Sequence, residues 1–148
     1  MVLVFTALGI TVDRAELQRL ATERISDAKA LLGVRRWPAA YYLAGYGVEC
    51  ALKACIAKLM KSEEFPDKTF AEKCWTHNLP QLLGLAGLKA NLDAAIRTDP
   101  DLAAKWNAVK DWNESSRYAR TTRAKAENLY EAITEKKHGV LSWLKLHW

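Results

Sequence analysis

The densest group of chemically useful side chains lies between residues 117 and 125, where the sequence reads RYARTTRAK. This stretch holds four cationic side chains and no acidic one. If it is helical, Arg117, Arg120 and Arg123 lie along one face, where like charges repel by roughly a few tenths of a kcal/mol per pair. Phosphate groups or an acidic protein surface would relieve that repulsion, because planar guanidinium groups match phosphate oxygens in geometry. The stretch therefore indicates a phosphate-binding face, and a solvated basic face is the alternative.

A single carboxylate stands out in the most apolar part of the sequence. Residues 38–60 read PAAYYLAGYGVECALKACIAKLM, with only Glu49, Lys53 and Lys58 charged, so a helix here would be apolar on nearly every side. Such a helix belongs in the middle of a bundle. Glu49 either pairs with Lys53 one turn later at an exposed edge, or it is buried and needs a cationic partner from another helix. An arginine of residues 117–125 is a candidate for that partner.

The cysteines and histidines do not complete a metal site. Cys74 and His77 have the spacing of half a zinc site without a second half nearby, so no metal is predicted. His77 is instead expected to cap a helix or to contact a second subunit. Cys50 and Cys55 are expected to be buried as small hydrophobic side chains. Three cysteines without regular disulfide spacing favour a reducing cytoplasm, and nothing in the sequence indicates an activated nucleophile or a cofactor.

Length and composition indicate one globular domain. With 148 residues the chain can bury one core and is too short for two domains of comfortable size. A hydrophobic fraction of 50% and a charged fraction of 26% exclude disorder as the default, and the net charge of +5 favours acidic partners, nucleic acids among them. Residues 1–12, MVLVFTALGITV, are predicted to be an apolar extension before a single domain of residues 13–148. The extension is too short to cross a bilayer and lacks a secretion-signal pattern, so no membrane contact is predicted.

Hydrophobic periodicity and capping residues predict an all-α, up-and-down helical bundle with four to five main helices. Asp13 and Glu16 have the spacing of a capping box at the start of the first helix. Residues 76–78 offer cap side chains for a short helix, and Asp99 followed by Pro100 begins another. No strand pair, repeat or interdomain linker is recognisable in the sequence.

Three glycines lie inside predicted helices, and each bears on how those helices pack or continue. Gly45 and Gly47 each cost about 1 kcal/mol relative to alanine, so a close helix crossing is expected at this point. In the last segment, apolar side chains stay in register from Ala126 to Leu144 across Gly139. That register predicts one long final helix.

Three stretches together resemble the HEPN family of small all-helical proteins. The run AYYLAGYGVECALKA at residues 40–54 is similar to the second helix of HEPN domains. The sequence THNLPQLL at residues 76–83 fits the same family, as does Trp112 followed by residues 116–118, Ser-Arg-Tyr. The three stretches occur in the expected order and span most of the chain.

Many HEPN proteins are metal-independent ribonucleases that use an arginine and a histidine four to six residues later, with two sites meeting at a dimer cleft. No histidine follows Arg117, Arg120 or Arg123 at that distance, and the next one is His138. Without that histidine, the motif lacks the group that handles protons during attack by a 2′-hydroxyl. The resemblance therefore favours the nonenzymatic branch of the family.

A HEPN protein of that branch is the helical partner of a minimal nucleotidyltransferase, and the complex binds nucleotide at the junction. The resemblance implies a homodimeric interaction module that acts with a nucleotidyltransferase-type partner in a toxin–antitoxin-like or defence system. The residues expected to contact nucleotide or RNA are Arg117, Tyr118, Arg120, Arg123, Tyr42 and Tyr46. For the tyrosines, core packing is the alternative, because their spacing is also that of a buried helix face.

The alternative function is a ribonuclease toxin with a degenerate site. In this hypothesis Glu49, Arg117 and His77 replace the missing arginine–histidine pair. Four apolar side chains close to the end of the chain are expected to form a dimer or partner surface if they are exposed: Trp143, Leu144, Leu146 and Trp148.

Overall fold

Helix α2, Trp37–Leu59, is the central element of the protein and packs against α1 and α7 over much of its length. The computed structural model describes residues 12–60 and 67–148, and the prediction for residues 1–11 lies outside them. More than half of α2 is buried, as expected for the apolar helix predicted over residues 38–60. Pro38 lies in its first turn, where the missing N–H needs no helical partner.

The described residues form eight α-helices and contain no strand, so the predicted all-α helical bundle is confirmed. The helices are α1 (Arg14–Gly33), α2 (Trp37–Leu59), α3 (Lys68–Lys73), α4 (Leu79–Leu85), α5 (Lys89–Thr98), α6 (Pro100–Val109), α7 (Arg123–Thr134) and α8 (Val140–Leu144). A 3-10 helix, Glu114–Tyr118, lies between α6 and α7. Across these ranges, no helix is both long and apolar enough to cross a membrane.

Short polar side chains begin the helices where the sequence predicted caps. The side chain of Asp13 accepts a hydrogen bond from the Glu16 N–H, Asn78 accepts one from Gln81, and Asp99 accepts one from Leu102. Each cap satisfies a backbone donor that has no partner inside its helix. Of the three residues 76–78, Asn78 is therefore the cap, and His77 has a different role.

The two glycines of α2 allow close packing, but against different neighbours. A Cβ at Gly47 would lie 3.0 Å from the Ile25 side chain and 3.2 Å from the Ala21 carbonyl oxygen, so the predicted close crossing occurs with α1. At Gly45 the neighbour is the buried indole ring of Trp112, which a Cβ would overlap. Gly45 therefore makes room for a side chain from the segment that follows α6.

The prediction of one long final helix is wrong, because α7 ends at Thr134 and α8 begins at Val140. The Glu135 carboxylate accepts hydrogen bonds from the backbone N–H groups of Lys137 and His138, which closes a tight turn. A Cβ at Gly139 would overlap the Glu135 backbone, so this turn depends on glycine. Apolar side chains keep a helical spacing across the break because α7 and α8 both pack against the same core.

We expect Gly45→Ala to lower the free energy of unfolding by about 2–3 kcal/mol, because the new methyl group must displace the buried Trp112 ring. Gly84→Ala is the matched control, since nothing lies within 4 Å of a Cβ at this position in α4. The control should be stabilised by about 0.5–1 kcal/mol through its helix propensity. Urea denaturation followed by circular dichroism measures both values, and equal effects in the two variants would contradict the packing described here.

Candidate functional site

The cationic stretch of residues 117–125 does not form one helical row. Arg117 and Tyr118 belong to the 3-10 helix, Arg120 lies in the extended segment after it, and Arg123 is the first residue of α7. The condition for three arginines to stack along one helix face, a continuous helix, is therefore not met. The segment bends between two helices, and this spreads its cations over a wider surface.

Two of these cations lie over aromatic rings at the N-terminal end of α2. The Arg123 guanidinium carbon is 5.8 Å from the centroid of the Trp37 ring, and the Lys125 Nζ is 5.0 Å from the centroid of Tyr41. Arg123 also forms a 2.8 Å ion pair with Glu127. Such cation–π contacts are worth about 0.5–1 kcal/mol at exposed sites, so they hold the start of α7 against α2.

Arg117 and Tyr118, which belong to the 3-10 helix, are exposed. The side chain of Tyr118 is 80% exposed, and the Arg117 guanidinium carbon lies 5.0 Å from the centroid of its ring. Arg120 is also exposed, and Arg36 precedes Trp37 at the start of α2. We call this surface the basic face; it comprises Arg36, Trp37, Arg117, Tyr118, Arg120, Arg123 and Lys125.

The other two tyrosines expected at a nucleotide site lie deeper. The rings of Tyr42 and Tyr46 stack with centroids 6.2 Å apart, and Tyr42 also packs 5.9 Å from Trp112. Both tyrosines are half-buried. The structure thus places them in a row of packed aromatic rings beside the basic face, in agreement with the core-packing alternative.

Glu49 is buried, and it has two cationic or donor partners. Only 2% of its side chain is exposed, so the alternative of an exposed edge is wrong. The Lys53 Nζ lies 2.8 Å from Oε1, and His77 Nδ1 lies 2.9 and 3.0 Å from the two carboxylate oxygens. His77 reaches Glu49 from the connection between α3 and α4. The second partner is therefore a histidine and not an arginine, and the interaction links this connection to α2.

Burial also raises the pKa of two side chains close to Glu49, the hydroxyl of Tyr46 and the thiol of Cys50. Removal from water raises the pKa of Tyr46 to about 12, with further contributions from Cys50 and the Glu49 charge. Burial likewise raises the pKa of the Cys50 thiol to about 12, and the nearby Glu49 charge adds to the effect. Both groups therefore remain protonated at neutral pH and offer hydrogen-bond donors without adding charge.

These groups line a pocket of about 230 Å³ between α1, α2 and the α3–α4 connection. Its polar side is formed by Tyr46, Glu49, Cys50, Lys53 and His77. The remaining lining residues are Val12, Leu17, Leu20 and Trp75. We call it the Glu49 pocket.

The sequence placed Glu49 and His77 together only in the hypothesis of a degenerate ribonuclease site, and their direct contact across 28 residues was not predicted. Sequence reasoning also missed a second histidine–carboxylate contact. His138 Nδ1 lies 2.8 Å from Asp99 Oδ2, and His138 Nε2 lies 3.8 Å from Asp101. These three side chains could bring ligand atoms within 4.8 Å of one another. Since Asp99 also caps α6, the contact joins the α7–α8 turn to the start of α6.

The three cysteines are free thiols, and all are buried. Burial raises the pKa of Cys55 to about 11 and raises that of Cys74 as well. The prediction that Cys50 and Cys55 are buried small side chains is confirmed. Thiolate chemistry at neutral pH is disfavoured at all three positions, since the thiolate is the reactive form.

The chain matches no protein-family model, no curated protein and no solved structure. No activity, ligand or partner can therefore be transferred to it from a relative. Among the described residues, the basic face and the Glu49 pocket are two places where side chains of this chain could support a function.

We expect Glu49→Gln to lower the free energy of unfolding by about 2–3 kcal/mol, because it leaves Lys53, whose side chain is 13% exposed, without the Glu49 charge. Glu72→Gln is the control, since Glu72 forms a 3.8 Å pair with Lys68 at the surface. That variant should change stability by less than about 0.5 kcal/mol. Chemical denaturation at pH 7 gives both values, and similar losses would show that burial of the Glu49 pair is unimportant.

Stability should fall as the pH rises above about 9, because the pKa of Tyr46 and Cys50 is higher in the folded state than the ordinary values of 10.0 and 9.0. Groups with a raised pKa contribute stability below their unfolded pKa and lose it as the pH approaches their folded pKa. Tyr46→Phe should therefore make the fall between pH 9 and pH 12 shallower. Tyr118→Phe, at a largely exposed position, should leave the slope unchanged, and thermal unfolding across this pH range distinguishes the two.

Proposed function

We propose that this protein is a nucleotide- or RNA-binding interaction module that uses the basic face. The observation that carries the proposal is the packing of two cations of this stretch, Arg123 and Lys125, on the aromatic start of α2. Arg123 and Lys125 lie over Trp37 and Tyr41, so cations and rings occur on one surface. Proteins that bind single-stranded nucleic acid combine these two elements, because cations contact the phosphates and aromatic rings stack on the bases.

Within the basic face, we assign the phosphate-contacting and base-stacking roles to the side chains that are exposed. Arg117 and Arg120 are exposed and contact phosphate oxygens in this proposal. Tyr118, with 80% of its side chain exposed, supplies a ring for base stacking. Tyr42 and Tyr46 support the surface from beneath through their contacts with Trp112 and with each other. The net charge of +5 steers polyanions toward the protein before contact.

The HEPN resemblance remains part of this proposal. Its supports are the all-helical fold, the position of residues 40–54 within the central helix α2, and the position of residues 76–83 across the start of α4. In this view the chain forms a homodimer and acts with a nucleotidyltransferase-type partner in a toxin–antitoxin-like or defence system. Leu146 is 76% exposed beside the half-buried Trp143 and Trp148, which offers apolar surface for such assembly.

The ribonuclease alternative has one supporting observation. Glu49 and His77, two of the three residues named for a degenerate site, are in direct contact. The Glu49 contacts in the described part of the chain are made by Lys53 and His77, and Arg117 is not among them. Binding is therefore the better-supported function, and RNA integrity is the measurement that separates the two.

The proposal is tested with a fluorescein-labelled 12-nucleotide single-stranded RNA of mixed sequence, in EDTA, with fluorescence anisotropy as the readout. We expect wild type to bind at 50 mM salt and Arg117→Ala/Arg120→Ala to bind roughly tenfold more weakly or worse. The slope of log affinity against log salt should fall by about 0.7 for each phosphate contact removed.

The matched control is Lys89→Ala/Arg97→Ala, which removes the same charge from α5, away from the basic face. It should reduce affinity much less than the Arg117/Arg120 variant. Equal losses in the two variants would mean that net charge alone explains binding, and no binding by wild type would refute the proposal. Cleavage of the RNA that disappears in a folded His77→Ala variant would favour the ribonuclease alternative.

A further inference from the structure

The Glu49 pocket contains a histidine nitrogen whose chemistry is set by a buried carboxylate. His77 Nδ1 lies within 3.0 Å of both Glu49 oxygens, and ionised carboxylates only accept hydrogen bonds. Nδ1 must therefore carry the proton. In neutral imidazole the other nitrogen, Nε2, is then an acceptor. In the neutral ring, the Glu49 contact thus selects the tautomer of His77 that carries its proton on Nδ1.

The position of His77 makes this acceptor available to a ligand. The His77 side chain is 44% exposed and lines the pocket, whereas Glu49 beneath it is 2% exposed. No described residue hydrogen-bonds to Nε2. With respect to the described residues, the neutral imidazole therefore presents an available acceptor on the side of the ring that faces away from Glu49.

The rest of the pocket favours a small, flat and uncharged ligand. The charges of Glu49 and Lys53 balance each other across 2.8 Å, so neither needs a charged ligand. Leu17, Leu20 and Trp75 contribute apolar walls, and an indole ring is a good stacking surface for a planar molecule. A volume of about 230 Å³ is below the roughly 300–1,000 Å³ of pockets for drug-sized ligands, so a single fused ring system is the appropriate size.

We propose that the Glu49 pocket is a small-molecule site for an uncharged planar heterocycle that donates an N–H to Nε2 of His77 and packs against Trp75. Apolar walls with a few converging polar groups are the usual composition of such sites. The site is separate from the basic face, because Glu49 lies eight positions after Tyr41 in α2, which is an axial rise of about 12 Å. It does not depend on RNA binding, so either proposal can fail while the other stands.

The experiment compares indole with 1-methylindole, which has the same ring system but no N–H donor. Each compound is titrated into the ¹⁵N-labelled full chain, and chemical shifts of the Trp75 indole N–H and the His77 ring nitrogens are followed by NMR. We expect indole to shift both signals, and we expect 1-methylindole to bind at least tenfold more weakly. The unliganded spectrum should show the proton of His77 on Nδ1.

His77→Ala should weaken indole binding at least tenfold and should remove the difference between the two compounds. His147→Ala, which changes a histidine away from the pocket, is the control and should bind both compounds as wild type does. Folding of each variant is checked by circular dichroism. The proposal is overturned if indole leaves Trp75 and His77 unshifted, if 1-methylindole binds equally well, or if the His77 proton is on Nε2. Because the tautomer is read from wild type, this last test stands even if His77→Ala does not fold.

Discussion

A carboxylate inside an apolar helix is stable only if its charge and its hydrogen-bond acceptors are satisfied. In α2 the carboxylate of Glu49 meets this condition through Lys53, one turn along the same helix, and through His77, which comes from another part of the chain. The central helix therefore cannot be buried correctly unless the α3–α4 connection docks against it. One electrostatic requirement thus links the apolar central helix to the connection between α3 and α4.

The same helix organises both candidate sites at different points along its length. Its N-terminal end supplies Trp37 and Tyr41, which hold the cations of α7. Further along, Gly45 makes room for Trp112, and this ring packs on Tyr42 and so continues the aromatic row toward Tyr46. Beyond that row lies the Glu49 pocket. The basic face is exposed and charged, so a long anionic ligand would fit it. The Glu49 pocket is mostly apolar and its charges are balanced, so a small neutral ligand would fit it.

In the described part of the chain, histidine–carboxylate contacts occur at two of the connections between helices. His77 binds Glu49 near the start of α4, and His138 binds Asp99 at the turn between α7 and α8. The two contacts differ in burial. Glu49 is almost completely enclosed, whereas Asp99 is 28% exposed and also caps α6. Only the first contact therefore imposes a strong requirement on the fold, since the cost of an unsatisfied charge grows with burial.

The sequence by itself determined the helical class, the helix starts at Asp13, Asn78 and Asp99, and the central position of α2. These features depend on interactions within about four residues, namely side-chain caps and apolar periodicity, so they can be read locally. The second partner of Glu49, His77, lies 28 residues away and could be identified only in the tertiary structure, as could the bent path of residues 117–125. The tertiary structure also decided the end of α7, where the Glu135 turn and Gly139 interrupt a register that the sequence leaves continuous. Each of these features depends on contacts between parts of the chain that are distant in sequence, and residue spacing along the chain does not reveal such contacts.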